Sequence, residues 1–310
     1  MLYTNTESII GATITWTNTN AYYYYNTYYN IYIINNAYTV WTADIAYLAT
    51  DTMYFWNTAK ATYNASNAVS ISASATYSSA TAVPWNKWRS KMNQVYFIQS
   101  FTPVSTAYWF NGCSNLKRTQ NTLIRDKLTN ARYMFGWCGN YVGEIFLGDE
   151  VTDAYYAYYY CCNVPGPPVS QGKLVNMSYT YGYCWSLTDS PACGDRVRDM
   201  SYAYTNCYNM TGIPAFGSVV ENAAGAYRGC SNLGADLGNF QLKIGASMQN
   251  MYQTFFNCVN FGKNCSAIRI NIISPSVSNM TNCFYNCAFN STHPLILTVP
   301  HNSTTNNTAH

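Results

Sequence analysis

The sequence is poor in charge: Asp, Glu, Lys and Arg make up 9% of its 310 residues, against about a quarter in an ordinary soluble protein. The net charge of +3 produces no strong global field, so neither nucleic acid nor anionic lipid is expected as a partner. Histidine is scarce as well, and His293, His301 and His310 all lie at the far end. Nucleophile–base chemistry usually needs a positioned histidine, so the chain is not expected to be an enzyme. Without a Cys-x-x-Cys pair or nearby histidines a zinc centre is not expected, and nothing resembles a phosphate-binding glycine loop, so no cofactor is expected either. Thr, Asn and Ser interrupt every hydrophobic run before it reaches membrane-spanning length, which excludes membrane insertion by a helix. The stretch Met1 to Glu7 lacks the basic and apolar regions of a secretory signal, so export by a signal peptide is not expected.

What the chain does have is 31 Tyr, 12 Cys and a 48% hydrophobic share, enough apolar material for a continuous core and unlike a disordered composition. Eight cysteines fall in phase: Cys113, Cys138, Cys161, Cys184, Cys207, Cys230, Cys258 and Cys287, at intervals of 25, 23, 23, 23, 23, 28 and 29. Eight residues before each stands Ser105, Asn130, Asp153, Asn176, Asp199, Asn222, Asn250 or Asn279. Three before each stands an aromatic: Phe110, Phe135, Tyr158, Tyr181, Tyr204, Tyr227, Phe255 or Phe284. Met or a small residue follows the Asx position, as at Met177, Met200, Met251 and Met280, and Asn often stands two after the Cys.

Met200, Tyr204 and Cys207 are spaced i, i+4, i+7, which predicts one face of a short helix. Asp199 is then its N-cap, and Asn209 suits a left-handed residue ending it. Between these segments, Phe240 to Ile244, Ile268 to Ile272 and Leu295 to Val299 alternate in hydrophobicity and stop at Gly or Pro, which predicts half-buried strands. The expected fold is an α/β tandem-repeat right-handed solenoid, leucine-rich-repeat-like, with one short strand and one short helix per unit of about 23–29 residues.

The units Ser276-Val277-Ser278-Asn279-Met280 to Phe284-Tyr285-Asn286-Cys287, and Ala226-Tyr227-Arg228-Gly229-Cys230-Ser231-Asn232-Leu233, resemble BspA-type leucine-rich repeats. The resemblance covers roughly residues 105–300. Tyr often replaces Phe, few units carry the family's Ile/Leu-Pro strand, and Tyr141, Val164 and Met210 replace the Leu after the Asn. The resemblance implies an extracellular adhesion or recognition surface, and related repeats also occur in viral proteins.

Three regions are expected: divergent repeats, a cap or an attachment region over 1–104, the Cys-phased repeat over 105–300, and a polar tail over 301–310. Faint units are read at Asn20 to Ile31, with Tyr28 in the Cys place, and at Asp51 to Ala59. The phased cysteines and their aromatics are repeat-core residues, packed thiols in preference to disulfides. Cys162, Cys193, Cys265 and Cys283, with Cys161 beside the first, are the better disulfide candidates. Glu144, Asp149 and Glu150 form the densest acidic cluster and are read as a solvated loop rather than a glycosidase pair. Half of the sixteen basic residues lie within 87–132, among them Lys87, Arg89 and Arg132, and a solubilising face is preferred to a phosphate-binding one. The candidate binding or contact aromatics are Tyr22, Tyr23, Tyr24, Trp109, Trp137, Tyr155, Tyr156, Tyr159, Tyr160, Tyr183 and Trp185.

Two functions remain open. One is a recognition or adhesion module, a virion (phage) fibre or decoration protein that binds a host-surface glycan or protein. The other is a structural subunit of a virion or filament whose aromatic faces bury against neighbouring copies; a cell-surface BspA-like adhesin is a variant of the first. In each case the chain is placed on a virion or an extracellular surface, and homo-oligomers are expected.

Overall fold

A computed structural model describes residues 74–97, 103–120, 127–143, 147–164, 172–189, 193–212, 214–235, 238–266, 268–289, 292 and 294–298, and the backbones of seven strands between 21 and 70. Those seven are β1 (Ala21–Asn26), β2 (Tyr29–Ile34), β3 (Thr39–Val40), β4 (Asp44–Ala49), β5 (Thr52–Asn57), β6 (Thr62–Tyr63) and β7 (Ala68–Ser70). They are followed by β8 (Gln94–Phe97), β9 (Arg118–Gln120), β10 (Phe240–Ile244), β11 (Ile268–Ile272) and β12 (Leu295–Thr298). β1 and β2 form an antiparallel pair, and a five-stranded sheet runs β7-β4-β5-β8-β9, parallel from β5 onward. The faint unit at Asn20 to Ile31 is therefore corrected to paired strands: the run is rich in Tyr and Ile, which favour extended backbone, and β1 and β2 pair antiparallel. The second, at Asp51 to Ala59, is strand β5.

The eight Cys-phased units stack in parallel. Ser105, Asn130, Asp153, Asn176, Asp199, Asn222, Asn250 and Asn279 are joined in succession by seven parallel bridges. Numbering each unit from its Cys as position 0, the residues at −10, −7, −4, −3, 0 and +3 point inward. In the unit of Cys207 these are Val197, Met200, Ala203, Tyr204, Cys207 and Met210, all at most 1% exposed. The rings at −3 form one buried column, with Phe110, Phe135, Tyr158, Tyr181, Tyr204, Tyr227, Phe255 and Phe284 stacked at centroid distances of 5.2 to 5.9 Å.

The segment from −7 to 0 is not a helix, which corrects the expectation of one short helix per unit. Among the described residues the helical turns are two three-residue 3-10 turns, Ala80–Ala82 and Asn86–Trp88. Alternate N–H groups leave the unit altogether. Ala131, Tyr133, Phe135 and Trp137 donate to the carbonyls of Asp153, Tyr155, Ala157 and Tyr159 of the next unit at 2.7 to 2.9 Å. The N–H groups between them, of Met134, Gly136 and Cys138, turn back three residues to Ala131, Tyr133 and Phe135. The remaining donor, Arg132 N–H, goes to Asn130 Oδ1 at 3.0 Å, and six further units repeat this Asx turn. Every backbone donor from Ala131 to Cys138 is thus paired, as burial demands. The Asx residues cap a ribbon of turns rather than a helix.

Such a ribbon requires left-handed residues, at −5 and −1. Tyr202 and Asn206 have φ of 53° and 57°, and the same two places are left-handed in all eight units, from Tyr108 and Gly112 to Asn282 and Asn286. Asn209, expected to be left-handed, is not among them.

The described strands between two phased cysteines lie in the longer units. The units ending at Cys258 and Cys287 have 28 and 29 residues and contain the five-residue β10 and β11, which pair in parallel with each other and with β12. The 25-residue interval to Cys138 holds the three-residue β9. The 23-residue units show no strand among their described residues; the places matching β9 in them, 143–145, 166–168, 189–191 and 212–214, lie wholly or partly outside those residues. At the N-terminal end, Trp85 is fully buried against Trp109 (5.1 Å) and donates from Nε1 to the Trp109 carbonyl at 2.9 Å.

Candidate recognition face

The inward column explains its own cysteines. Each thiol donates to the carbonyl of the −3 aromatic one unit earlier: Cys138 to Phe110, Cys161 to Phe135, Cys184 to Tyr158 and Cys207 to Tyr181, at 3.0 to 3.2 Å. Cys230, Cys258 and Cys287 continue the series. All twelve cysteines are free thiols. Cys162, Cys193, Cys265 and Cys283 are therefore unbridged, which corrects their choice as disulfide candidates. Cys283 occupies the inward −4 place, Cys265 donates to Gly238 and Cys162 to Tyr160.

The outer surface of the ribbon carries −6, −5, −2 and −1. Five consecutive units have Tyr at −5: Tyr108, Tyr133, Tyr156, Tyr179 and Tyr202. Their rings stack at centroid distances of 4.7, 5.0, 4.5 and 4.7 Å with planes within 17° of one another. The stacking offsets the cost of about 1–2 kcal/mol that a left-handed backbone imposes on a residue with a Cβ. The inter-unit backbone bonds set a spacing of about 4.8 Å, close to the distance at which offset rings pack.

Beside this column runs a second ridge. Trp137 and Tyr160 at −1, and Trp185 and Tyr208 at +1, are 37–42% exposed. Tyr160 contacts Trp185 at 5.6 Å, and Trp185 stacks on Tyr208 at 6.2 Å. Tyr155, Tyr159 and Tyr183 are half-buried against neighbouring rings, as is Tyr156 in the column itself. Burial, followed by the neighbouring phenols, pushes Tyr133 and Tyr159 up to about 12, and burial raises Tyr179. At neutral pH these three phenols therefore stay protonated.

Of the sequence-derived candidates, Trp137, Tyr155, Tyr156, Tyr159, Tyr160, Tyr183 and Trp185 come together on this face. Trp109 does not: at −4 it points inward and is 2% exposed, because −4 is a core place in every unit. Tyr22, Tyr23 and Tyr24 lie on β1, and their side chains are outside the described residues. Sequence reasoning missed Tyr108, Tyr133, Tyr179, Tyr202 and Tyr208. The signal was present as Tyr recurring at −5 in five units running, but it carries no meaning until −5 is known to point outward.

A cleft of about 280 Å³ opens where the tyrosine column stops, between Tyr179, Tyr183, Tyr202, Thr205, Asn206 and Arg228. Three ion pairs occur among the described residues. Arg132 pairs with Asp153 at 2.9 Å and lies 4.5 Å over the Tyr155 ring. Lys173 pairs with Glu150 at 2.7 Å, and Arg198 pairs with Glu221. Glu144 lies outside the described residues. No group of three His, Cys, Asp or Glu side chains that could hold a metal occurs among the described residues, and no helix there is long and apolar enough to cross a membrane.

No known protein family matches the chain, and no curated protein does. Among solved structures, the chain is similar to a leucine rich cell surface protein from Faecalibacterium prausnitzii A2-165. The identity is 11% and the TM-score 0.34, over 86% of this chain and 96% of that one.

Proposed function

We propose that the chain is a non-enzymatic recognition module: a right-handed, leucine-rich-repeat-like solenoid of the BspA type that displays its aromatic face to a glycan on a host surface. The observation that carries this reading is the outward column of five stacked tyrosines, with Trp137 against it and the Tyr160–Trp185–Tyr208 ridge beside it. Flat rings spaced by the unit repeat offer stacking platforms for successive sugar rings, and the protonated phenol hydroxyls between them donate and accept hydrogen bonds. A periodic, shallow and nearly uncharged surface suits a repetitive polymer better than it suits a reaction centre. A virion fibre or decoration protein, and a cell-surface adhesin, are the two settings in which such a face operates.

The second reading, a subunit contact, draws on one observation. Trp137, Tyr160, Trp185 and Tyr208 are each more than a third exposed, and Tyr and Trp are enriched where proteins meet. Binding of the purified chain to a glycan array and to intact host cells, beside Tyr156→Ala/Tyr179→Ala and Trp185→Ala variants, separates the two. Glycan binding lost in the double variant supports recognition. Concentration-dependent assembly lost in Trp185→Ala, with no glycan bound, supports the subunit reading and sinks the first.

A further inference from the structure

The repeat breaks at one unit. Of the eight, the unit of Cys230 alone has glycine at both left-handed places, Gly225 and Gly229. The tyrosine column stops one unit before, at Tyr202, whose ring leans into the space that a side chain at 225 would take: a Cβ there would stand 2.4 Å from it. A Cβ on Gly229 would stand 2.1 Å from Asn206 Oδ1. The Tyr202 ring and the Asn206 side chain, which fill those two places, are walls of the cleft of about 280 Å³, and Gly229 lines it as well. That volume lies just below the range filled by drug-sized ligands, and it has room for one sugar ring.

The lining is chemically specific. Tyr179, Tyr183 and Tyr202 supply flat walls, Thr205 and Asn206 supply polar atoms, and Arg228 stands at the rim. No Asp or Glu lines the cleft. Arg132 and Arg198 are ion-paired across neighbouring units, whereas Arg228 meets no carboxylate among the described residues. Its guanidinium is held instead by Gln253 Oε1 and by the Phe256 ring, 4.8 Å away. These neutral contacts orient the planar fork and leave its charge uncompensated. A guanidinium so fixed is a bidentate seat for a carboxylate.

We propose that the cleft beside Arg228 is the subsite that takes a carboxylate-bearing sugar, a uronic acid unit, of the glycan running along the tyrosine face. The proposal rests on the recognition reading and narrows its ligand to an acidic polysaccharide. An acidic peptide would satisfy Arg228 equally, but its side chains would find no apolar pockets along the flat tyrosine column. A sugar presents a C–H face to each ring.

The test titrates the full chain with tri-galacturonic acid and with its methyl ester, which keeps the ring and removes the charge. The acid is expected to bind about tenfold more tightly, as a charge-assisted bidentate contact implies. Arg228→Gln should abolish that preference with an unchanged melting curve, and Arg132→Gln should preserve it. Gly229→Asn, a residue the left-handed backbone accepts, should weaken both probes, because its Cβ displaces the Asn206 side chain that lines the cleft. Equal binding of acid and ester, a preference that survives Arg228→Gln, or stronger competition by polyglutamate than by the sugar each overturns the subsite and leaves the recognition face standing. Absence of any glycan on the array overturns both.

Discussion

Two tyrosines in the same buried column carry opposite hydrogen-bond accounts. Tyr227 donates its hydroxyl to the Ala215 carbonyl and accepts the Ala215 N–H, both at 2.9 Å. Tyr204, equally enclosed, has a hydroxyl with no partner, although burying an unpaired hydroxyl costs about 1–3 kcal/mol. Tyr204→Phe is therefore expected to raise unfolding stability by about 1 kcal/mol, and Tyr227→Phe to lower it by about 1–2 kcal/mol. Urea melts of the two variants check the pair; equal effects would mean that the hydroxyls are solvated alike. The thiols bring a pH dependence. Burial pushes Cys113, Cys230 and Cys283 up to about 12, while in an unfolded chain they ionise near about 8.5. Between those values the unfolded state binds fewer protons, so the stability these thiols contribute is whole below about pH 8 and is lost as pH rises toward 12. Melting temperature and thiolate absorbance followed together from neutral to alkaline pH test this. Thiolate appearing in the still-folded protein near pH 9 would contradict it.

At the scale of the element, the turn ribbon shows what a sequence pattern can and cannot specify. Met200, Ala203, Tyr204 and Cys207 lie at i, i+3, i+4, i+7, the inward pattern of a helix. A ribbon of turns with left-handed residues every fourth place buries the same set. The two differ in where the amides point, which periodicity does not encode. The distinguishing signal was Gly or Asn at −5 and −1, at Gly112, Asn206, Gly225, Gly229, Asn257, Asn282 and Asn286. It was hidden by the Tyr and Trp that hold those places elsewhere. The strands were legible where alternation was long, at β10, β11 and β12, and the spare residues of the longer units locate them. The Asx column makes its own prediction. Asp153 and Asp199 flank Asn176 across two parallel bridges, so Asn176→Asp would place three carboxylates in a row about 4.8 Å apart. It should keep the Asx turn yet cost about 1 kcal/mol at neutral pH. The loss should shrink below about pH 4, where the carboxylates protonate. A loss independent of pH would mean that the amide, not the charge, matters at this position.

For the molecule as a whole, each unit bonds only to the one before and the one after, so stability should behave as a sum of unit and interface terms. The candidate face inherits this property. Its tyrosines are aligned because consecutive units place −5 at the same point, and the cleft exists because one unit departs from the rule. The Cys phase made the core legible, since a buried place tolerates few residue types. The face was only half legible, since an outward place accepts Tyr, Gly, Gln or Asn alike. Register is therefore the quantity to disturb. Deleting residues 185–207, one 23-residue unit from Trp185 to Cys207, joins Cys184 to Tyr208 with every inward place and every inter-unit bond preserved. The shortened chain should fold, unfold cooperatively and melt at a somewhat lower temperature. Deleting Ala203 alone instead shortens the ribbon itself, whose eight-residue step from the Asx residue to the Cys is the same in every unit although the intervals between cysteines range from 23 to 29. Tyr204 and Cys207 then keep their inward places only if Met200 loses its own, and the alternate amide pairing with the flanking units breaks at the gap. That variant should not give a single cooperative transition at the parent's temperature. Circular dichroism melts of the two deletions decide the point: matching curves would show that the ribbon does not depend on a fixed register.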